Sequence, residues 1–188
     1  RLILNDVGPE LNTQGLIGLS SYFGVTHRFS TFSELQQELN RHYASFGITD
    51  ESARRELALN SARRLPDGSW TYHFDPRIGE QFVHDTPRDM WADWANIRCP
   101  TMVIRGEEST LLDPETLPRM TEAQPKLVTL TVPDCGHAPM LDKPAQVDPI
   151  HDFLNRPAPR PTSVDKTQNA TVWQRAVQWL TQQWRRWK

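Results

Sequence analysis

Cysteine is scarce: Cys99 and Cys135 are the two in 188 residues. Neither has C-x-x-C spacing or a nearby His/Cys pair, which argues against a disulfide framework and against a metal site. Both read as free thiols of a reducing, cytoplasmic setting. Charge of one sign is also lacking. The chain has 21 Lys and Arg against 23 Asp and Glu, so it shows no overall basic excess to draw it to nucleic acid. No apolar run approaches the ~20 residues of a membrane-spanning helix. No glycine-rich loop is present to cradle a phosphate, and no cofactor is expected. The hydrophobic fraction is only 37% and there are 15 prolines, a composition that leaves part of the chain poor in packing residues. The first residue is Arg1, with no Met and no signal-like stretch, and Arg1-Leu2-Ile3-Leu4 opens directly in a strand pattern. A domain that starts inside a strand leads us to expect a piece of a longer fold.

What is present centres on Val132-Pro133-Asp134-Cys135-Gly136-His137-Ala138-Pro139. The β-branched run Leu127–Val132 reads as a buried strand. Pro133 cannot continue a ladder, and Gly136 permits backbone angles closed to other residues. The strand therefore stops with His137 on the loop at its carboxyl end, where open α/β sheets carry their chemistry. Of the six histidines, His137 alone has this setting.

In chain order, Leu2–Leu4 is a short strand ending in the turn Asn5-Asp6-Val7-Gly8-Pro9. Residues 31–46 read as a helix, capped by Thr31 or Ser33 with Glu34 or Gln36, and stopped by Gly47. A second helix is expected over 49–64, then a turn at Pro66-Asp67-Gly68 and an alternating arm from Ser69 to Phe74. A third helix starts at Thr86-Pro87 and carries Trp91 and Trp94 into the core. Thr101–Ile104 is a second buried strand, stopped by Arg105-Gly106. A helix from Asp113 to about Ala123 leads to the strand before His137. Strand, helix, strand at this spacing is a βαβ unit, hence a parallel sheet. Asp148-Pro149 starts a closing helix through Phe153 and Leu154.

This order resembles the C-terminal half of an α/β-hydrolase-fold protein: a strand ending Asn-Asp-Val-Gly-Pro, some eighty mainly helical residues, Pro-Thr-Met-Val-Ile-Arg-Gly, then Asp-Cys-Gly-His-Ala-Pro. The resemblance implies an α/β fold in which part of the parallel sheet is interrupted by a mainly helical cap. It divides the chain into a core strand and turn (1–14), the cap (15–95) and the C-terminal hydrolase core (96–155). His137 matches the family's catalytic histidine, which takes a proton from the nucleophile and returns it to the leaving group. The substrate would be a small ester or related molecule held under the cap.

Two departures from the family pattern stand out. The family nucleophile sits in a Gly-x-Ser-x-Gly elbow before the strand that Leu2–Leu4 matches, and no such pentapeptide occurs in these residues. Gly18-Leu19-Ser20-Ser21 lacks the second glycine and follows the strand. The missing N-terminal half would have to supply the nucleophile, and the chain alone is expected to be inactive. The second departure is the acid. Where similar sequences carry Ser-Asp after the strand that Met102–Ile104 matches, this one has Ser109-Thr110. Asp113 on the same loop, Asp6 at the end of the first strand and Glu107 all compete for the role. Asp134 reads as a turn residue. A degenerate triad would point instead to a non-catalytic relative that binds through the cap or the tail.

The tail is separate. Residues 156–170 form a proline-rich linker from Arg156-Pro157-Ala158-Pro159-Arg160-Pro161. In 171–188, Trp173, Val177, Leu180, Trp184 and Trp187 recur at alternating four and three, with Arg175, Arg185, Arg186 and Lys188 around them. This is a basic amphipathic helix pattern. Docking back on the body, contact with another protein helix and contact with a membrane surface are all open to it.

Overall fold

The computed structural model describes residues 1–12, 23, 25–80 and 89–157. The chain divides into two units, Arg1–Leu154 and Asn155–Lys188. The first contains the secondary structure described below, except for Asn155, the last residue of the final helix. The linker and the amphipathic helix expected in the tail lie outside the described residues, apart from the first positions of the linker.

The sheet of the first unit has three parallel strands, β1 (Leu2–Asn5), β4 (Thr101–Gly106) and β5 (Val128–Val132), in the order β1-β4-β5. Leu2 pairs with Thr101 and Asn5 with Ile104. On the other side Met102 pairs with Val128 and Gly106 with Val132. β4 is central and buried along its whole length. Its apolar run fits that place, because a strand covered on both faces has no use for alternation with polar residues. Met102 and Ile104 face one core with Val132, Cys135 and Phe153. Val103 faces the other, with Trp94, Leu112 and Met120. Met102, Val103 and Ile104 are 0% exposed, and each such burial contributes about 2 kcal/mol.

Between β1 and β4 lies an inserted segment with a core of its own. Its buried residues are Leu35, Leu39, Ala58 and Tyr72, wrapped by Phe29, Phe32, Tyr43, Trp70 and Phe74. Helix α1 (Phe32–His42) starts as its sequence predicts. The Thr31 hydroxyl accepts from the Glu34 N–H, and the Glu34 carboxylate reaches back to the Ser30 N–H. A 3₁₀ turn, Ala44–Phe46, follows and ends at Gly47 in the left-handed region (φ 71°). Helix α2 (Glu51–Ser61) is capped by Asp50, which accepts from the Ala53 N–H at 2.8 Å.

Here the structure corrects the expected helix over 49–64. Its last three residues are instead strand β2 (Ala62–Arg64), paired antiparallel with β3 (Trp70–Tyr72). The Pro66-Asp67-Gly68 turn explains this. Gly68 takes φ 86°, which folds the chain back so that 62–64 meet the aromatic strand. Cross-strand pairing then outweighs helix propensity.

Helix α3 (Trp91–Ala95) carries Trp94 into the core, where its indole N–H donates to the Met120 carbonyl. The expected start of this helix at Thr86-Pro87 lies outside the described residues. Trp91 is only half-buried. It donates to the Glu10 carboxylate at 3.0 Å, while the Arg119 guanidinium lies 4.3 Å from a ring centroid of Trp91. The Trp91 indole and Arg119, which donates to the same Glu10 oxygen at 2.8 Å, hold the Glu10 carboxyl below its usual range.

Helix α4 spans Thr116–Ala123, three residues shorter than expected, because 113–115 form a turn closed by the Thr116 N–H on the Asp113 carbonyl. Helix α5 (Pro144–Asn155) starts before the expected Asp148-Pro149, with Pro149 inside it. Gln146, Ile150 and Phe153 fall on one face, at i, i+4 and i+7. Phe153 is buried and Ile150 packs on the same core. That burial outweighs the backbone bond Pro149 cannot make. Among the described residues no helix is long and apolar enough to cross a membrane.

Candidate active site

The carboxyl ends of the three strands converge on one carboxylate. β1 ends at Asn5, and Asp6 follows in the left-handed region at φ 56°. Aspartate tolerates that conformation better than most residues. The Asp6 N–H still donates to the Ile104 carbonyl at 2.7 Å, so the turn stays anchored to β4. The Asp6 side chain is 0% exposed. A carboxylate so buried is costly unless donors surround it, and three do. The Gly106 N–H donates to Oδ1 at 3.1 Å. The Ser109 hydroxyl donates to Oδ2 at 2.6 Å, and His137 Nδ1 lies 2.8 Å from the same oxygen.

The loop after β4 is shaped to make these contacts. Arg105 is buried, and its guanidinium donates to the carbonyls of Leu112, Glu107 and Ser109 at 2.8, 2.9 and 3.2 Å. One side chain thus holds the loop from inside. The Ser109 oxygen also accepts from the Leu111 and Leu112 N–H groups at 3.2 and 3.3 Å. Those donors leave the hydroxyl hydrogen for Asp6.

The histidine loop closes against the end of β4. The Glu107 and Glu108 N–H groups donate to Val132 and Cys135 carbonyls at 2.8 and 2.9 Å. This approach needs glycine at 106, where a Cβ would stand 2.2 Å from the Gly136 oxygen and 2.5 Å from that of Cys135. Asn5 adds a tie, its amide donating to the Pro139 carbonyl at 2.9 Å.

Gly136 corrects an expectation. The left-handed residue of this loop is Asp134, at φ 51°, and Gly136 is not among the residues with positive φ. Gly136 is needed for room instead. A Cβ there would meet the Ser45 side chain at 3.0 Å and the Ser45 carbonyl at 3.2 Å. Cys135 beside it is buried, and burial first, then the Asp6 charge, pushes its thiol up.

The imidazole of His137 is 25% exposed. An ionised carboxylate can only accept, so Nδ1 carries the hydrogen and Nε2 is the basic nitrogen. Nε2 has no hydrogen-bond partner among the described residues. The structure therefore brings two of the sequence candidates together, His137 and Asp6. It does not bring Asp113 to them: both Asp113 oxygens take the Asn12 amide, at 3.2 and 3.1 Å. Glu107, Thr110 and Asp134 are exposed.

Sequence reasoning missed Ser109, Gly106 and Arg105. Ser109 stood in plain view beside Thr110, but a search for a carboxylate passes over a hydroxyl. Among the described residues no three of His, Cys, Asp or Glu are grouped to hold a metal ion.

This parallel α/β sheet sets an imidazole against a buried carboxylate at its strand ends, the edge where open α/β sheets carry their sites. Comparison makes this specific: the chain belongs to the Alpha/beta hydrolase family, which its residues 13–150 match. A 3-hydroxybutyrate-oligomer hydrolase from Cupriavidus necator is 36% identical to it, the match covering 78% of this chain and 54% of that protein. Lipase 3 of a Moraxella species is 30% identical over a shorter stretch, 42% of this chain and 24% of the lipase. The crystal structure of an alpha/beta hydrolase from Novosphingobium aromaticivorans is similar at a TM-score of 0.70 and 31% identity, over 81% of this chain and 55% of that one. The chain thus spans about half the length of the Cupriavidus and Novosphingobium proteins.

Proposed function

We propose that this chain supplies the base and the acid of a serine-hydrolase-type reaction on small esters, with His137 as general base and Asp6 as the acid that orients it. The observation that carries this reading is the 2.8 Å contact between His137 Nδ1 and a fully buried Asp6, on loops at the carboxyl ends of β5 and β1, the two strands that flank β4. In that geometry Nε2 takes the proton of a nucleophilic hydroxyl as the hydroxyl oxygen attacks the ester carbonyl. It gives the proton back to the departing alkoxide, and a water molecule then repeats the cycle on the acyl-enzyme. Asp6 fixes the tautomer and stabilises the imidazolium between those transfers.

The nucleophile is a serine of a Gly-x-Ser-x-Gly elbow, which these 188 residues do not contain, so the chain alone does not turn over esters. In this reading the insertion, with its separate aromatic core, is the cap over the substrate. The name of the 36%-identical relative, a 3-hydroxybutyrate-oligomer hydrolase, supports a short hydroxyacyl ester as the substrate class. The two free thiols, one exposed and one buried, support a reducing compartment. Asp6 also removes the reason that Thr110 gave for a non-catalytic binding role, since the acid comes from another strand.

The test is an ester assay with p-nitrophenyl butyrate and a linear 3-hydroxybutyrate dimer. A longer protein joining this chain to a half that bears the serine elbow is expected to turn over, and His137→Ala to cut kcat by about 10⁴-fold or more. Turnover by the isolated 188-residue chain that His137→Ala abolishes would overturn the reading.

A further inference from the structure

The histidine loop is held from two sides, and one of them is the insertion. Four contacts join the turn Ala44–Phe46 and its terminating Gly47 to the loop around His137. The Gly136 N–H donates to the Ser45 carbonyl. The Cys135 sulfur lies 3.4 Å from the Phe46 carbonyl oxygen, and as close to that of Gly136. Lys143, just past the loop, donates to the Gly47 carbonyl at 2.8 Å. The Phe46 and His137 rings meet in a T-shaped contact at 72°, with centroids 6.4 Å apart, and Phe46 is itself braced by Tyr43 at 4.7 Å. The fit is close on both sides. A Cβ on Gly136 would crowd Ser45, and one on Gly47 would lie 3.1 Å from the Asp134 carbonyl.

We propose that this turn of the insertion is a positioning element for the base, and that Phe46 is its positioning residue. The inference rests on the reading of His137 as the base. The sheet supplies the acid and fixes Nδ1 through Asp6. Nothing in that contact fixes the tilt of the imidazole about its bond to Asp6, and the Phe46 ring packed against it limits that tilt. The Ser45 and Gly47 carbonyls take donors from the Gly136 backbone and the Lys143 side chain, which ties the insertion to the loop and its exit. A substrate that shifts the insertion therefore shifts the base, and this couples occupancy of the cap to the aim of Nε2.

The test reads the Nδ1–H proton of His137 by ¹H–¹⁵N NMR in the 188-residue chain, through its exchange rate with solvent. Phe46→Leu keeps an apolar side chain but loses the aromatic ring, and is expected to speed that exchange roughly three- to ten-fold, the range of one aromatic contact. Phe46→Tyr keeps the ring and is expected to leave the rate near that of the parent. Lys143→Met removes an exposed tether without touching any core, and is expected to raise the rate about two-fold. Backbone amide exchange in β4 is expected to stay unchanged in all three, which separates a loosened base from a loosened fold.

Unchanged Nδ1–H exchange in both Phe46→Leu and Lys143→Met, with the signal still lost in Asp6→Asn, would overturn the positioning role and leave the base–acid reading intact. Absence of any Asp6-dependent signal in the parent chain would overturn both.

Discussion

The turn after β1 and the loop after β4 each carry an aspartate that could serve His137, and they use it differently. Asp6 follows β1 directly, in a left-handed conformation that keeps its N–H on the central strand and its side chain wholly buried. Asp113 lies well into its loop, half-buried, with its oxygens on a side-chain amide. The loop after β4 still serves the pair, because it sends Asp6 a backbone N–H from Gly106 and a hydroxyl from Ser109. The contrast teaches that the acid and its orienting donors can be divided between two strand ends. One loop supplies the charge and the other supplies the groups that make its burial affordable.

Substitutions can break or sharpen that contrast. The largest effect is expected from Asp6→Asn in the ester-hydrolysing longer protein. The amide presents a donor where His137 needs an acceptor, and kcat is expected to fall about 10⁴-fold, the scale known for loss of the orienting acid in a serine protease triad. Asp113→Asn in the same assay is the matched comparison.

Next is Gly106→Ala. A methyl 2.2 Å from a backbone oxygen cannot be relieved by turning a side chain. The variant is expected to lose roughly 3 kcal/mol or more in urea unfolding, because the histidine loop must lift off β4. Ser109→Ala removes one hydrogen bond to a buried carboxylate and leaves two donors in place. It is expected to cost about 2 kcal/mol, and to lower kcat without raising KM. Asp113→Asn is expected to do least: its partner Asn12 keeps an acceptor, so stability should change by under about 0.5 kcal/mol and kcat by under about two-fold. A fall in kcat for Asp113→Asn as large as that for Asp6→Asn would erase the contrast.

Much of the framework was legible in the sequence because it is written in short-range patterns. The run Thr101–Ile104 is too apolar to be anything but a covered strand, and it is the buried centre of the sheet. Thr31 with Glu34 marks a helix start, and it is one. The stop after Val132 put His137 at a strand end.

What failed was settled by contacts distant in sequence. Residues 62–64 read as helix until Trp70–Tyr72 arrives to pair with them. Pro149 reads as a helix start until the face formed by Gln146, Ile150 and Phe153 is seen against the sheet. The choice among Asp6, Asp113 and Glu107 could not be made from spacing, since Asp6 and His137 lie 131 residues apart. Gly136 was read for its backbone freedom, and its real constraint is Ser45, on an element of the insertion.

The pairing of His137 with Asp6 is the centre of this account, and one spectrum tests it most directly. A low-field proton NMR spectrum of the ¹⁵N-labelled chain should show the His137 Nδ1–H held in a hydrogen bond to a carboxylate. The account predicts that this resonance disappears in Asp6→Asn and persists unshifted in Asp113→Asn. Its persistence in Asp6→Asn, or its loss in Asp113→Asn, would contradict the assignment of the acid and the mechanism built on it.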